Sequence, residues 1–226
     1  MSRLSSLRNH GLGLGFLLLF GAALIGQAFA GHAAFNADQA GSGLPGISLG
    51  RYVTSASFAA DVAENWQSEY LQFFLYILLT VWLVQRGSPE SKPLADVGTE
   101  SDEQQLTGAY ARPDSPAPVR RGGWIGSLYG RSLGLTMGAI FLLSWLAQSV
   151  AGVAAYNETQ LRELEAPVSW AQYAASADFW NRTLQNWQSE FLAVASMAIL
   201  SIYLRQRGSP ESKPVGAAHS ATGTEG

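Results

Sequence analysis

The sequence predicts an all-α integral membrane protein with four transmembrane helices, formed by two helical-hairpin repeats that share one orientation. The composition is the first reason, since the 226 residues are 47% hydrophobic and only 14% charged, whereas soluble domains carry about 25% charged residues. The second reason is the presence of four apolar segments without charged residues. The third is an internal repeat, because residues 9–93 align without a gap with residues 130–214, and more than a third of the aligned pairs are identical.

The first and third apolar segments predict spans over about 12–31 and about 132–154. Leu12–Ala30 and Ser132–Tyr156 contain no charged residue, and a helix that crosses a bilayer needs about 20 such residues. Ala28-Phe29-Ala30 also fits the cleavage site of a secretory signal. The aligned third segment lies in the middle of the chain and cannot be such a signal, so we expect the first segment to be retained as a span.

The second and fourth apolar segments predict spans over about 66–86 and about 187–206. Both begin with the motif NWQSE, whose Trp66 and Trp187 suit the aromatic belt at a membrane surface. Both end with the nonapeptide QRGSPESKP. Their apolar parts are shorter, but each segment is long enough to span when it is counted from its tryptophan.

The four predicted spans divide the chain into two repeats with a connecting linker and a tail. The linker and the tail are polar and lack apolar periodicity, so we expect both to be disordered. The predicted parts are the first repeat 1–93 with its outer loop 32–65, the linker 94–118, the second repeat 119–214 with its outer loop 155–186, and the tail 215–226.

Basic residues lie mostly on one side of the predicted spans, which by the positive-inside rule is the cytoplasm. Only Arg51, Arg162 and Arg182 fall in the outer loops. Both termini and the linker are therefore expected in the cytoplasm. A pseudo-two-fold axis along the membrane normal is expected to relate the repeats, because both insert with the same orientation.

Polar residues near the outer ends of the spans form the first candidate site. Gln27 and Gln148 are aligned in the repeat, as are Glu69 and Glu190, and all four fall at a similar depth. We expect them to meet in one polar layer under the outer loops. The layer is either a structural clasp of hydrogen bonds between helices or a site facing outside for a cation, a proton or a small polar ligand.

The nonapeptide, present at Gln85–Pro93 and Gln206–Pro214, forms the second candidate site. Its arginine is expected among the last helical residues and its glycine in the left-handed conformation that ends a helix. Its lysine is expected to face anionic lipid. The motif is therefore either a helix stop with a membrane anchor or a docking surface presented twice. The candidate docking or headgroup-binding residues are Arg86, Glu90, Lys92, Arg207, Glu211 and Lys213.

The remaining residue types exclude several kinds of chemistry. The chain has no cysteine, its histidines lack the spacing of a zinc site, and no hydrolase motif occurs. No basic stripe suits a nucleic acid. We therefore expect no catalytic residue, cofactor or metal, and a structural or interaction role with the lipid bilayer and a membrane or cytoplasmic protein as partners. The alternative is a small transporter, or an ion- or proton-linked permease, that uses the Gln/Glu layer.

The motifs together resemble a known family. The segments ENWQSEYLQ, QNWQSEFLAVASMAILSIYLRQRGSPESKP and RRGGWIGSLYGRSLGL are similar to those of small bacterial inner-membrane proteins known only as a domain of unknown function. The resemblance covers nearly the whole chain. It implies a multi-pass protein of the bacterial cytoplasmic membrane, and it implies no activity, cofactor or catalytic residue.

Overall fold

The computed structural model describes residues 9–223, and this part of the chain contains helices, turns and loops but no β-strand. The predicted all-helical class is confirmed. Arg3 and Arg8, which contribute to the predicted topology, lie outside the described residues. The helices are α1 Gly11–Gly41, α2 Leu49–Val53, α3 Ala56–Leu79, α4 Ala117–Arg121, α5 Gly123–Tyr129, α6 Ser132–Arg162, α7 Trp170–Ala174 and α8 Ala177–Tyr203, with 3-10 turns at Leu94–Asp96 and Gly108–Tyr110.

Helices α1 and α6 are long and apolar enough to cross a membrane, and each contains 31 residues. Both continue two to three turns beyond the ends of the predicted spans. The apolar run marks where a lipid-facing surface stops, whereas a helix continues until its last carbonyl groups are capped. In α1 the backbone N–H of Ser42 donates to Asp38 and Gln39, and Gly43 follows with a φ of 71°.

Helices α3 and α8 begin and end earlier than the predicted spans. Each starts well before its NWQSE motif, so the amphipathic outer segment and the apolar segment form one continuous helix. The Ser176 side chain caps α8 by accepting from the backbone N–H of Phe179. At the other end, the prediction that Arg86 and Arg207 are among the last helical residues is wrong, because α3 ends at Leu79 and α8 at Tyr203.

The structure divides into two compact units, of which the first contains Met1–Val62 and Ala147–Ala174. Two tyrosines form its core, since Tyr52 is 3% exposed and Tyr173 is 2% exposed. Each packs against a glycine of a long helix, Tyr52 against Gly31 and Tyr173 against Gly152. A Cβ atom at Gly152 would lie 2.6 Å from the Tyr173 hydroxyl oxygen, so only glycine permits this approach.

The second unit contains Ala63–Leu146 and Ala175–Gly226. Its aromatic core centres on Trp145, whose ring stacks on Phe141 at 5.7 Å and on Phe179 at 6.2 Å between centroids. Gly138 of α6 faces α3, where its Cβ would lie 2.8 Å from the Phe74 ring. Close packing there holds α3, the first half of α6 and α8 in one unit.

Candidate functional site

The NWQSE segments, together with Glu64 and Arg182 that precede them, join α3 to α8 through three side-chain hydrogen bonds. The two carboxylate oxygens of Glu64 accept from Arg182 Nε at 2.7 Å and from Asn186 Nδ2 at 2.6 Å. Trp187 Nε1 donates to Gln67 Oε1, also at 2.7 Å. We call these three hydrogen bonds the Glu64 clasp. The Glu64 side chain is only 13% exposed, so its charge is partly shielded from water while the guanidinium compensates it.

Glu69 and Glu190 belong to the same unit as the Glu64 clasp. The negative charge of Glu69 acts electrostatically on the Glu190 carboxyl group, and the Ser68 hydroxyl donates to the Asn65 carbonyl at 2.9 Å. Glu69 is exposed and Glu190 is half-buried. Two of the four residues of the predicted polar layer therefore belong to the same unit.

Gln27 and Gln148 belong to the first unit. Gln27 is half-buried on α1, whereas Gln148 on α6 is only 1% exposed. Neither the amide oxygen nor the amide nitrogen of Gln148 has a hydrogen-bond partner within residues 9–223. A buried amide group without partners lowers the free energy of unfolding by about 1–3 kcal/mol per group. A water molecule or a ligand at Gln148 would remove this cost. The meeting of all four residues in one layer remains a prediction.

Two further buried polar residues were missed by sequence reasoning. Gln67 and Thr183 are both fully buried, and the Gln67 amide nitrogen and the Thr183 hydroxyl have no partner in the described part of the chain. Gln67 belongs to NWQSE, and the presence of this glutamine in both copies of the motif could have indicated a buried polar position. Thr183 has no aligned polar counterpart, since Val62 stands at that place in the first repeat.

Each nonapeptide folds into a turn closed by its own residues. In the first copy the backbone N–H of Gln85 donates to Ser91 Oγ at 2.8 Å, and in the second Gln206 donates to Ser212 Oγ at 2.9 Å. Gly87 and Gly208 have the predicted positive φ, at 89° and 82°, but neither glycine ends a helix, because α3 ends at Leu79 and α8 at Tyr203. The bonds explain why both copies have glutamine and the second serine, and the positive φ explains why both have glycine.

The two lysines of the motif have different surroundings. Lys92 is partly exposed and pairs with Glu100 at 2.8 Å. Lys213, which was expected to face lipid headgroups, is only 1% exposed, and that expectation is wrong. Its Nζ instead donates to the backbone carbonyl oxygens of Gly87, Ala218, His219 and Ala221 at 2.6–3.2 Å.

The charge of Lys213 depends on this carbonyl cage. Burial lowers the pKa of the Lys213 ammonium group, and the positive charge of Arg205 lowers it further. The four carbonyl dipoles act in the opposite direction, because they point their negative ends at the ammonium group. The contact with Gly87 joins the second copy of the nonapeptide to the first.

The tail adds further bonds to the first nonapeptide. The backbone N–H of Gly87 donates to Thr222 Oγ1 at 2.8 Å, and the N–H of Gly223 donates to the carbonyl of Ser88 at 3.1 Å. Arg205 Nη2 donates to the Ala217 carbonyl at 3.0 Å. The composition predicts disorder for this tail, yet residues 217–223 bond to both the helix end and the turn. Most of these contacts use backbone groups, which composition does not report.

The other docking candidates stand around these turns. Arg86, Arg207 and Glu211 are exposed, whereas Glu90 is half-buried and accepts from the Tyr76 hydroxyl. Within residues 9–223 no group of three or more His, Asp or Glu residues has the arrangement of a metal site. The surroundings of the turns therefore offer charged groups and hydrogen-bonding groups.

Comparison with known proteins identifies one family. The model of a family described as a domain of unknown function (DUF6766) matches residues 3–224. No curated protein matches the chain, and no solved structure matches it.

Proposed function

The chain belongs to the DUF6766 family, and we propose that it is a multi-pass protein of the bacterial cytoplasmic membrane with a structural or interaction role rather than a catalytic one. The surface of α1 carries this proposal. Its most apolar window has no buried residue, and Leu12 and Leu18 are 79% and 75% exposed. Exposure to water of an apolar patch along a whole helix is unfavourable in free energy, whereas contact with lipid chains is not.

A four-span arrangement extends this proposal to α3 and α8. Support comes from contacts that occur twice at aligned positions of the sequence. The Asn36 side chain bonds the backbone N–H and carbonyl of Ile47 at 2.8 and 3.0 Å, and Asn157 bonds those of Val168 at 2.7 and 2.9 Å. The glycine–tyrosine contacts of the first unit are a second such pair. Two hairpins of common origin account for these duplicated contacts.

The absence of cysteine makes a direct test of this topology simple. Single cysteines introduced at Ser42, Ser101, Glu163 and Ser220 would be labelled in intact cells with a membrane-impermeant maleimide, before and after permeabilisation. We expect Ser42→Cys and Glu163→Cys to react from outside, and Ser101→Cys and Ser220→Cys to react only after permeabilisation. Labelling of Ser101→Cys in intact cells would contradict the four-span topology.

A structural role agrees with the hydrogen bonds that the duplicated nonapeptide forms. Its glutamine and serine close the turn, and Lys213 ties the second copy to the first. A partner protein remains part of the proposal, because Arg86, Arg207 and Glu211 are exposed beside these turns. Purification in mild detergent with and without Arg86→Ala and Arg207→Ala tests this part. A co-purifying protein should be lost in the double variant and retained in a control with Arg112→Ala in the linker.

A second candidate function, an ion- or proton-linked permease, is favoured by the electrostatic interaction between the carboxyl groups of Glu69 and Glu190. Adjacent carboxylates within a membrane protein often bind a cation or share a proton. The test is proton or sodium flux in proteoliposomes. Flux that disappears with Glu69→Gln and with Glu190→Gln supports a permease, while wild-type liposomes as tight as empty ones exclude it.

A further inference from the structure

A cavity of about 500 Å³ lies within the second unit, beside the first nonapeptide. It is an open groove bounded by the last turns of α3, by the nonapeptide turn and by the middle of α8, and Leu79 and Leu83 of its wall are 47% and 63% exposed. Leu79, Leu83 and Val194 are among the aliphatic residues that line it, and Tyr76 and Glu90 lie at one end. We propose that this cavity binds one membrane lipid whose headgroup carries a primary ammonium group, with an acyl chain along the aliphatic wall and the ammonium group at Glu90.

The size and lining of the cavity favour an acyl chain over a polar metabolite. Ligand sites typically have volumes of about 300–1,000 Å³ and are mostly apolar with a few placed polar groups. The wall formed by Leu75, Phe191, Ala195 and Ala198 offers no hydrogen bonds to a sugar or a nucleotide. A flexible hydrocarbon chain gains free energy from dispersion contacts along such a wall.

The charge at the polar end favours an ammonium headgroup. Glu90 accepts from the Tyr76 hydroxyl, and Glu211 of the second nonapeptide lies within electrostatic range of the same hydroxyl. No ion pair of Glu90 or Glu211 with a basic residue occurs in the described chain. The nearby lysines are engaged elsewhere, Lys92 with Glu100 and Lys213 with backbone carbonyls. A ligand cation would compensate these carboxylates, and an anionic headgroup would be repelled.

An unsatisfied acceptor also lines the cavity. Gln72 belongs to the cavity wall, and its amide oxygen is buried without a hydrogen-bond partner in residues 9–223. Gln72 lies two turns before Leu79, and therefore at a distance from the nonapeptide. A glycerol hydroxyl or another donor on the ligand would satisfy this oxygen. The cavity thus offers acceptors at two separate places, Glu90 at one end and Gln72 along the wall, to the ammonium group and to a hydroxyl group of the lipid.

The test compares two lipids that share an acyl chain and differ in the headgroup. The detergent-solubilised full chain is titrated with lysophosphatidylethanolamine or with lysophosphatidylglycerol, and native mass spectrometry gives the bound fraction. We expect one lysophosphatidylethanolamine per chain, bound about tenfold more tightly than lysophosphatidylglycerol, as a charge-assisted hydrogen bond would produce. In Glu90→Gln the two lipids should bind about equally tightly, and the acyl chain should still bind.

A matched pair of tryptophan variants tests the location. Ala195→Trp fills the cavity and should abolish binding of both lipids, whereas Ala193→Trp, an exposed position of the same helix outside the cavity wall, should leave both unchanged. Equal binding of the two lipids by the wild type would overturn the proposal. So would equal effects of the two tryptophan variants, because lipid would then coat the helices without a site.

Discussion

Lys213 and Lys92 occupy the same place in identical nonapeptides, and the structure gives them unequal roles. The ammonium group of Lys213 is buried, and its N–H groups are shared among four carbonyl oxygens within hydrogen-bond distance. The ammonium group of Lys92 is 27% exposed and has one carboxylate and one carbonyl partner. The difference arises from the segment that follows each lysine, since the tail closes around Lys213. An identical sequence motif therefore has two structural roles.

This inequality predicts different costs for the same substitution. Lys213→Met leaves several buried carbonyl oxygens without a donor and should lower the free energy of unfolding by about 2–4 kcal/mol. Lys92→Met removes an exposed ion pair and should cost less than about 1 kcal/mol. Thermal unfolding in detergent measures both, and hydrogen exchange should show faster exchange of residues 217–223 in Lys213→Met alone. Equal losses in the two variants would contradict the cage.

At the scale of the helix, glycines of α1 separate into packed and unpacked positions. Gly31 lies against the Tyr52 ring, with the Tyr52 Cζ atom 3.0 Å from the place of a Cβ. Gly26, one and a half turns earlier, has no atom within 4 Å of that place. A helix usually becomes more stable when an unpacked glycine is replaced by alanine, so the two positions should respond with opposite signs.

The prediction for α1 follows directly. Gly31→Ala should lower the free energy of unfolding by about 1–3 kcal/mol, because the methyl group forces Tyr52 out of the core. Gly26→Ala should change it by zero to about 1 kcal/mol in the stabilising direction. Thermal unfolding followed by circular dichroism compares the two. A Gly31→Ala variant as stable as Gly26→Ala would show that Tyr52 does not pack on this helix.

The pairing of α3 with α8 depends on the Glu64 clasp. A double-mutant cycle of Glu64→Gln with Arg182→Met should give a coupling energy of about 1 kcal/mol, since the Arg182 side chain is 40% exposed and solvent screens it. Glu64→Gln combined with Arg205→Met is the control, because Arg205 bonds backbone carbonyls at the other end of α8. A coupling energy near zero in the first cycle would show that the Glu64–Arg182 ion pair does not stabilise the pairing of α3 with α8.

At the scale of the whole molecule, the environment of α1 decides whether its exposed leucines are favourable. Leu18→Lys places a charge in the middle of the proposed first span, where insertion costs about 2.5–3.5 kcal/mol. We expect this variant to be lost from the membrane fraction or degraded. Leu164→Lys changes a leucine that is 95% exposed in the loop after α6 and should have no effect on membrane localisation. Equal behaviour of both variants would mean that α1 does not lie in lipid.

The long apolar helices were predictable, since apolar runs of this length have few other structures available to them. Their ends were not, because Ser42 and Gly43 stop α1 by backbone capping beyond the last apolar residue. The left-handed Gly87 was predictable from the need for glycine at a positive φ.

The long-range polar contacts were not predictable from the repeat. The residues aligned with Glu64 and Arg182 are Gln185 and Asp61, so the clasp has no duplicate that would have revealed it. The burial of Lys213 was equally hidden, since its partners are backbone carbonyl groups and backbone is the same in every sequence. Sequence patterns indicate which side chains face lipid or the core. The Glu64 and Lys213 contacts depend instead on which distant segments the fold brings together.

The bond from Lys213 to Gly87 also sets an order of events during synthesis. Its two residues are 126 positions apart in the chain, and a ribosome delivers the earlier one first. The turn around Gly87 can close on Ser91 as soon as it emerges, whereas its carbonyl has to wait for the second hairpin and for residues 217–223. A chain stalled before that point carries a formed turn with an open backbone face. A nascent chain therefore acquires this bond only after Lys213 has been synthesised.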